Sequence, residues 1–88
     1  MRTPSTKKFL AWLEAQPALR SYEYYLNCNC AITQFLRANG APEAVVGASA
    51  WFVKGGDGKP KNLPRKWDVA VFAHPRTFGE AAARLRSS

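Results

Sequence analysis

The chain has 88 residues, of which 47% are hydrophobic and 22% are charged, and its formal net charge is +7. This length predicts one domain over residues 1–88 with one small core, and the composition excludes a low-complexity chain. No stretch approaches the roughly 20 apolar residues of a membrane span, so no membrane partner is expected.

The two cysteines and the N-terminal residues indicate a compartment. No continuous apolar segment of about 7–15 residues follows the first basic residues, so no export signal is apparent. A bond between Cys28 and Cys30 would close a strained, very small ring, so both are expected to be free thiols. Free thiols are typical of the cytosol, and we expect a cytoplasmic protein.

The first predicted element is an amphipathic helix over about 6–15. Ser5 or Thr6 can cap it, and Pro17 stops it because proline disfavours helical geometry in the preceding residue. Its apolar stripe contains Phe9, Leu10 and Leu13, with Trp12 at the edge. Residues 18–26 contain three tyrosines, which favour a strand, although a covering loop fits equally well.

The second predicted helix begins at about Cys28 or Cys30 and ends at Asn39. Asn27 or Asn29 would cap its first turn, and the glycine after Asn39 is typical of a helix end. Its buried stripe is expected to consist of Ala31, Ile32, Phe35 and Leu36.

A β-hairpin is predicted in the middle of the chain. Residues 49–54 favour a strand, and the glycine-rich segment 55–58 is a strong turn signal. Residues 59–63 can return as a short partner strand, which Pro60 restricts to an edge of the sheet.

A third helix is favoured after this hairpin, with Asn62 as its cap and Pro64 in its first turn. A strand stays open as the alternative because the segment contains β-branched Val69 and Val71. The helical stripe would consist of Leu63, Trp67, Ala70, Val71 and His74, ending at His74-Pro75.

The last predicted helix covers about 78–86. Thr77 and Glu80 have the spacing of a capping box, in which the threonine side chain bonds a backbone N–H three residues later. Its stripe would contain Phe78, Ala81, Ala82 and Leu85. Together these elements predict an α+β fold of three or four short helices packed with a small hairpin.

Four short motifs resemble a loose group of small proteins encoded by phages and prophages. They are Asn29-Cys30-Ala31, Gln34-Phe35-Leu36, Trp51 with Gly55–Gly58, and Pro75-Arg76-Thr77-Phe78-Gly79 with Leu85. The resemblance covers about residues 27–86 and implies a genomic context rather than a chemistry. In that context we expect a binding protein directed at a host or at its defences.

The cysteines could take part in catalysis together with the single histidine of the chain. A helix start would lower a thiol pKa, so Cys28 or Cys30 with His74 as base could form a minimal cysteine hydrolase. Such an enzyme also needs an orienting residue, for which Asp68 and Asn62 are the available candidates. The alternative is that Cys30 is a small core residue, and we favour a chain that is not an enzyme.

Zinc is not expected because two cysteines and one histidine supply three ligands, and the Cys-x-Cys spacing is unusual for a structural site. We therefore expect neither a metal nor a cofactor.

The best candidate for function is a basic surface around the hairpin. Five cations flank the glycine-rich tip: Lys54, Lys59, Lys61, Arg65 and Lys66. Trp51 and Trp67 are close to them in sequence, and exposed rings beside cations can contact a partner or stack on bases. The same pattern also fits a solvated turn whose aromatic rings face inward.

These features predict a non-catalytic binding protein that modulates a host nucleic-acid-processing or defence complex, in the manner of an anti-defence inhibitor. Its partner would be an acidic host protein or a nucleoprotein complex, because a basic face attracts acidic surfaces. Direct, low-specificity binding of nucleic acid through the hairpin is the first alternative, and the cysteine hydrolase is the second. The sequence predicts no oligomeric state.

Overall fold

The computed structural model describes residues 3–23, 30–46, 50–53 and 59–87. These residues form four helices and a three-stranded antiparallel sheet, which confirms the predicted α+β class. In chain order the elements are α1 (Thr6–Ala15), α2 (Ala31–Ala38), β1 (Ala44–Val46), β2 (Ala50–Val53), β3 (Lys61–Asn62), α3 (Arg65–Phe72) and α4 (Phe78–Arg86). No helix in this part of the chain has the length and apolar character needed to cross a membrane.

The first and last helices have the bounds that their capping signals predict. The Ser5 hydroxyl accepts a hydrogen bond from the Lys8 N–H at 3.2 Å, and the Thr77 hydroxyl accepts one from the Glu80 N–H at 3.4 Å. Each bond satisfies a backbone donor that has no partner within its helix. The two helices pack on each other and bury Phe9, Leu13, Phe78, Ala81, Ala82 and Leu85.

The second helix begins later than the earliest predicted residue. Its N-cap is Cys30, where an asparagine was expected, and no side-chain hydrogen bond caps this end. Cys28, Asn27 and Asn29 lie outside the described residues. The predicted stripe is confirmed, because Ala31, Ile32, Phe35 and Leu36 are all buried. Gly40 follows the helix with a φ of 102°, a left-handed conformation that glycine adopts without strain.

The sheet has the order β1-β2-β3 with antiparallel pairing throughout. The predicted partner strand is present as the two-residue β3 at an edge, which agrees with the restriction set by Pro60. The strand β1 was not predicted, and it pairs with β2 so that Val46 lies opposite Trp51. The turn residues 54–58 lie outside the described part of the chain.

The third helix forms, which decides between the two predicted alternatives, but its start was predicted wrongly. Asn62 pairs with Ala50 in the sheet, so it does not cap the helix, and Pro64 occupies the N-cap position instead. Trp67, Ala70 and Val71 are buried as predicted. His74 is exposed beyond the helix end and does not belong to the stripe.

Aromatic rings join three helices at the centre of the core. The ring of Phe9 in α1 lies 4.5 Å from that of Trp67 in α3 and 5.0 Å from that of Phe35 in α2, measured between centroids. Phe35 and Trp67 meet edge to face at 5.8 Å. Such offset and edge contacts add to the stabilisation from burial, so this cluster holds α3 against the rest of the protein.

Candidate functional site

The two tryptophans of the predicted site belong to the core. Trp51 and Trp67 are both 0% exposed. Their indole N–H groups donate to the hydroxyl oxygens of Thr3, at 2.8 Å, and Thr6, at 2.9 Å. The prediction that these rings contact a partner is therefore wrong for the folded protein, because neither ring can reach a base or a protein surface. The inward-facing alternative describes both correctly.

The predicted cations divide into two groups. Lys59, Arg65 and Lys66 are exposed. Lys61 is half-buried, with its Nζ atom 5.3 Å from the centroid of a Trp51 ring. Its Nζ also donates to the Lys59 carbonyl oxygen at 3.4 Å. Lys61 therefore lies against the core ring, while the side chains of the other three are exposed. Lys54 lies outside the described residues.

Two exposed apolar side chains stand next to these cations on the outer side of α3. Val69 is 57% exposed and Phe72 is 55% exposed. Both lie on the same helix face as Arg65, because residues four and seven positions apart return to one side of an α-helix. Lys66 is one turn from Val69 on the same side.

Arg76 completes this surface beyond the C-terminal end of the helix. Its guanidinium carbon lies 5.3 Å from the centroid of the Phe72 ring, and its Nε donates to the Phe72 carbonyl oxygen at 2.9 Å. We define the α3 face as the set of Arg65, Lys66, Val69, Phe72 and Arg76. It combines an apolar centre with positive charge at both ends.

Two of the three cations of the α3 face, Arg65 and Lys66, lie where positive charge destabilises their helix, whereas Asp68 in the same turn has the favourable sign. Arg65 and Lys66 occupy the first turn, where the helix dipole is positive, and each costs about 0.3–1 kcal/mol there at low ionic strength. In the described residues no ion pair engages either side chain. Local choices that reduce stability are typical of functional sites, so these two cations are the strongest candidates for partner contacts.

The C-terminal end of α3 is fixed by Arg84 of α4. The Arg84 Nε donates to the Ala70 carbonyl oxygen at 2.7 Å, and Nη2 donates to the carbonyl oxygens of Ala73 and Pro75 at 2.9 and 3.1 Å. The carbonyls of Ala70 and Ala73 belong to the helix end and would otherwise lack helix partners, and the Pro75 carbonyl lies just beyond it. Arg84 thus sets the orientation of the α3 face.

Tyr22 provides a second contact to the C-terminal part of α3, next to Arg84. Its hydroxyl donates to the Val71 carbonyl oxygen at 2.7 Å. Burial raises the pKa of Tyr22 above the ordinary 10.0, and the nearby Arg84 guanidinium offsets part of this rise. The neutral phenol is therefore the form that the folded protein favours.

This pKa shift predicts a loss of stability in strong alkali. The contribution of Tyr22 is fully present below pH 10.0, the unfolded value, and is lost as the pH rises towards the higher folded pKa. Tyr22→Phe removes one buried hydrogen bond and should lower the free energy of unfolding by about 1 kcal/mol at pH 7. Above pH 10.0 the unaltered protein and Tyr22→Phe should differ less in free energy of unfolding, by up to about 1.4 kcal/mol per pH unit. Urea denaturation of both proteins from neutral pH upwards measures it, and a constant difference would contradict the expectation.

Of the two predicted cysteine–histidine pairs, the described residues include only Cys30 with His74, because Cys28 lies outside them. Cys30 is buried in the core, whereas His74 is exposed after α3. No hydrogen bond joins the two side chains within the described residues. The same part of the chain contains no group of three histidine, cysteine, aspartate or glutamate residues that could hold a metal ion.

The α3 face was only partly predictable from the sequence. Arg65 and Lys66 belonged to the predicted site, but Val69, Phe72 and Arg76 did not. The available signal was their spacing, since Val69 and Phe72 fall opposite the buried Trp67 once a helix is assumed.

Comparisons with protein-family models, with curated proteins and with solved structures found no match to this chain.

Proposed function

We propose that this chain is a non-catalytic binding protein that docks its α3 face on an acidic surface of a partner protein. The observation that carries the proposal is the pair of exposed apolar side chains on α3, with two exposed cations at the N-terminal end of the helix and the half-buried Arg76 beyond its C-terminal end. Arginine and large apolar side chains are enriched where proteins meet. From the resemblance of its short motifs to small phage proteins, we further propose that the partner belongs to a host nucleic-acid-processing or defence complex, which the chain would inhibit.

An acidic protein fits the α3 face better than a nucleic acid does. Trp51 and Trp67, which were expected to stack on bases, are buried in the core, and the Arg76 guanidinium lies over the exposed ring of Phe72. The side chain of Val69 has no group that can bind a phosphate, yet it is 57% exposed at the centre of the face. A protein surface can match both the charges and the apolar centre.

Two double variants with equal charge change test this proposal. Arg65→Glu with Lys66→Glu reverses the two cations of the α3 face, and Lys7→Glu with Lys8→Glu reverses two exposed cations of α1. The probes are labelled poly-L-glutamate and labelled single- and double-stranded DNA and RNA, titrated at several salt concentrations. The α3 variant should weaken poly-L-glutamate binding by about tenfold more than the α1 variant does. The α3 variant should also fold, because acidic residues suit the first turn of a helix.

Two results would overturn the proposal. Equal losses in both variants would show that binding follows net charge alone and has no site on α3. Tighter binding of DNA or RNA than of poly-L-glutamate, lost in the α3 variant and linear in a log–log salt plot, would make nucleic acid the partner.

A further inference from the structure

We infer that Val69 and Phe72 anchor an acidic amphipathic helix of the partner protein, with the cations of the α3 face holding its carboxylates. This inference rests on the proposed function and names the type of segment that is bound. It makes the apolar pair, rather than the charges, the source of specificity.

The spacing of the two apolar side chains indicates a helical occupant. Val69 and Phe72 are three residues apart, which places them about 4.5 Å apart along the axis of α3. A second helix laid along α3 presents apolar residues at the same interval of three or four positions. Leu19 is more exposed than Val69 and Phe72, at 91%. It lies in the loop after α1, however, so no helix pairs it with a second exposed apolar side chain.

The charges indicate that this helix is acidic at both ends of its apolar stripe. Arg65 and Lys66 lie at the N-terminal end of the pair, and Arg76 lies beyond its C-terminal end with its guanidinium over the Phe72 ring. Carboxylates form charge-assisted hydrogen bonds with such groups. A second copy of this chain would oppose cations with cations at a net charge of +7 each, so it is the poorer occupant.

Two synthetic peptides of identical composition provide the probes. Both contain leucine, glutamate and alanine over about 18 residues, enough for a helix to form on binding. In the first peptide the leucines recur at helical intervals of three and four residues and form one stripe. In the second they are scattered around the helix. Fluorescence anisotropy of labelled peptides measures the binding of each to the whole protein.

The matched variants remove apolar side chains only. Val69→Ala with Phe72→Ala should weaken binding of the striped peptide by about tenfold or more, because a few central side chains carry most of an interface energy. Leu19→Ala removes an exposed apolar side chain elsewhere and should leave the affinity within about twofold. The scattered peptide should bind more weakly than the striped one and should respond little to either variant.

The outcomes separate this inference from the proposed function. If the α3 double alanine variant binds the striped peptide as well as the unaltered protein does, Val69 and Phe72 are not the anchor, while the charge-reversal result on poly-L-glutamate still stands. If charge reversal also has no effect, both proposals fail. Sedimentation of the protein alone adds a third outcome, since a dimer lost in the alanine variant would assign the α3 face to a second copy and overturn the inference.

Discussion

Replacing Trp67 with alanine is expected to lower the free energy of unfolding by about 4–5 kcal/mol, the upper range for removal of a large buried side chain. The indole is 0% exposed and packs against Phe9 and Phe35. Its loss leaves a cavity between three helices and takes away the donor that the Thr6 hydroxyl accepts from. A small domain has about 5–15 kcal/mol of total stability, so much of the variant should be unfolded near 37 °C. Urea denaturation followed by circular dichroism measures the loss.

The control for this experiment is Val69→Ala on the same helix. Val69 is mostly exposed, and alanine is the better helix former, so the change should stay within about 0.5 kcal/mol. A comparable loss in both variants would show that α3 does not face the core with Trp67.

Replacing Arg84 with methionine is expected to cost about 2–3 kcal/mol. Methionine keeps the length and helix propensity of the side chain but cannot donate to the three carbonyl oxygens at the end of α3. Hydrogen bonds from a charged donor are worth more than neutral ones, although partial exposure of Arg84 reduces the sum. Arg84→Lys should recover only part of the loss, because an ammonium group cannot reproduce the planar fork. Thermal and urea denaturation of the three proteins give the comparison.

Arg86→Met is the matched control on the same helix. Arg86 forms an ion pair with Glu14, but the two side chains are 50% and 46% exposed. An exposed pair of this kind contributes about 0–1 kcal/mol. If Arg86→Met costs more than Arg84→Met, the surface ion pair rather than the carbonyl contacts holds the helices together.

Local signals account for what could be predicted of the fold. The bounds of α1 and α4 follow from Ser5 and Thr77, whose side chains bond the first turn of their own helices. Such contacts depend on neighbours within four residues and are readable in the sequence. The start of α3 was predicted wrongly because Asn62 pairs with Ala50 in the sheet and so is not available as a helix cap. A three-residue strand such as β1 shows too little alternation to be recognised without its partner.

The cations of the candidate site could be predicted from the sequence, whereas the burial of its predicted tryptophans could not. Arg65 and Lys66 stand out in any count of cations, whereas the direction in which Trp51 and Trp67 point depends on the packing of separate elements. Thr3 and Thr6 receive the two indole N–H groups across 48 and 61 residues of sequence. No local pattern encodes contacts at that separation. Only the folded structure therefore shows that the exposed aromatic ring of α3 is Phe72 and that Trp67 is buried.

The placement of the tryptophans has a consequence for spectroscopy. The α3 face contains no indole, while two of the three tryptophans are fully buried and hydrogen-bonded to hydroxyl groups. The emission of Trp51 and Trp67 therefore reports the integrity of the core, and a helix that binds to Val69 and Phe72 contacts no indole on that face. Docking experiments need an external label, because the half-buried Trp12 also contributes to any shift in intrinsic emission.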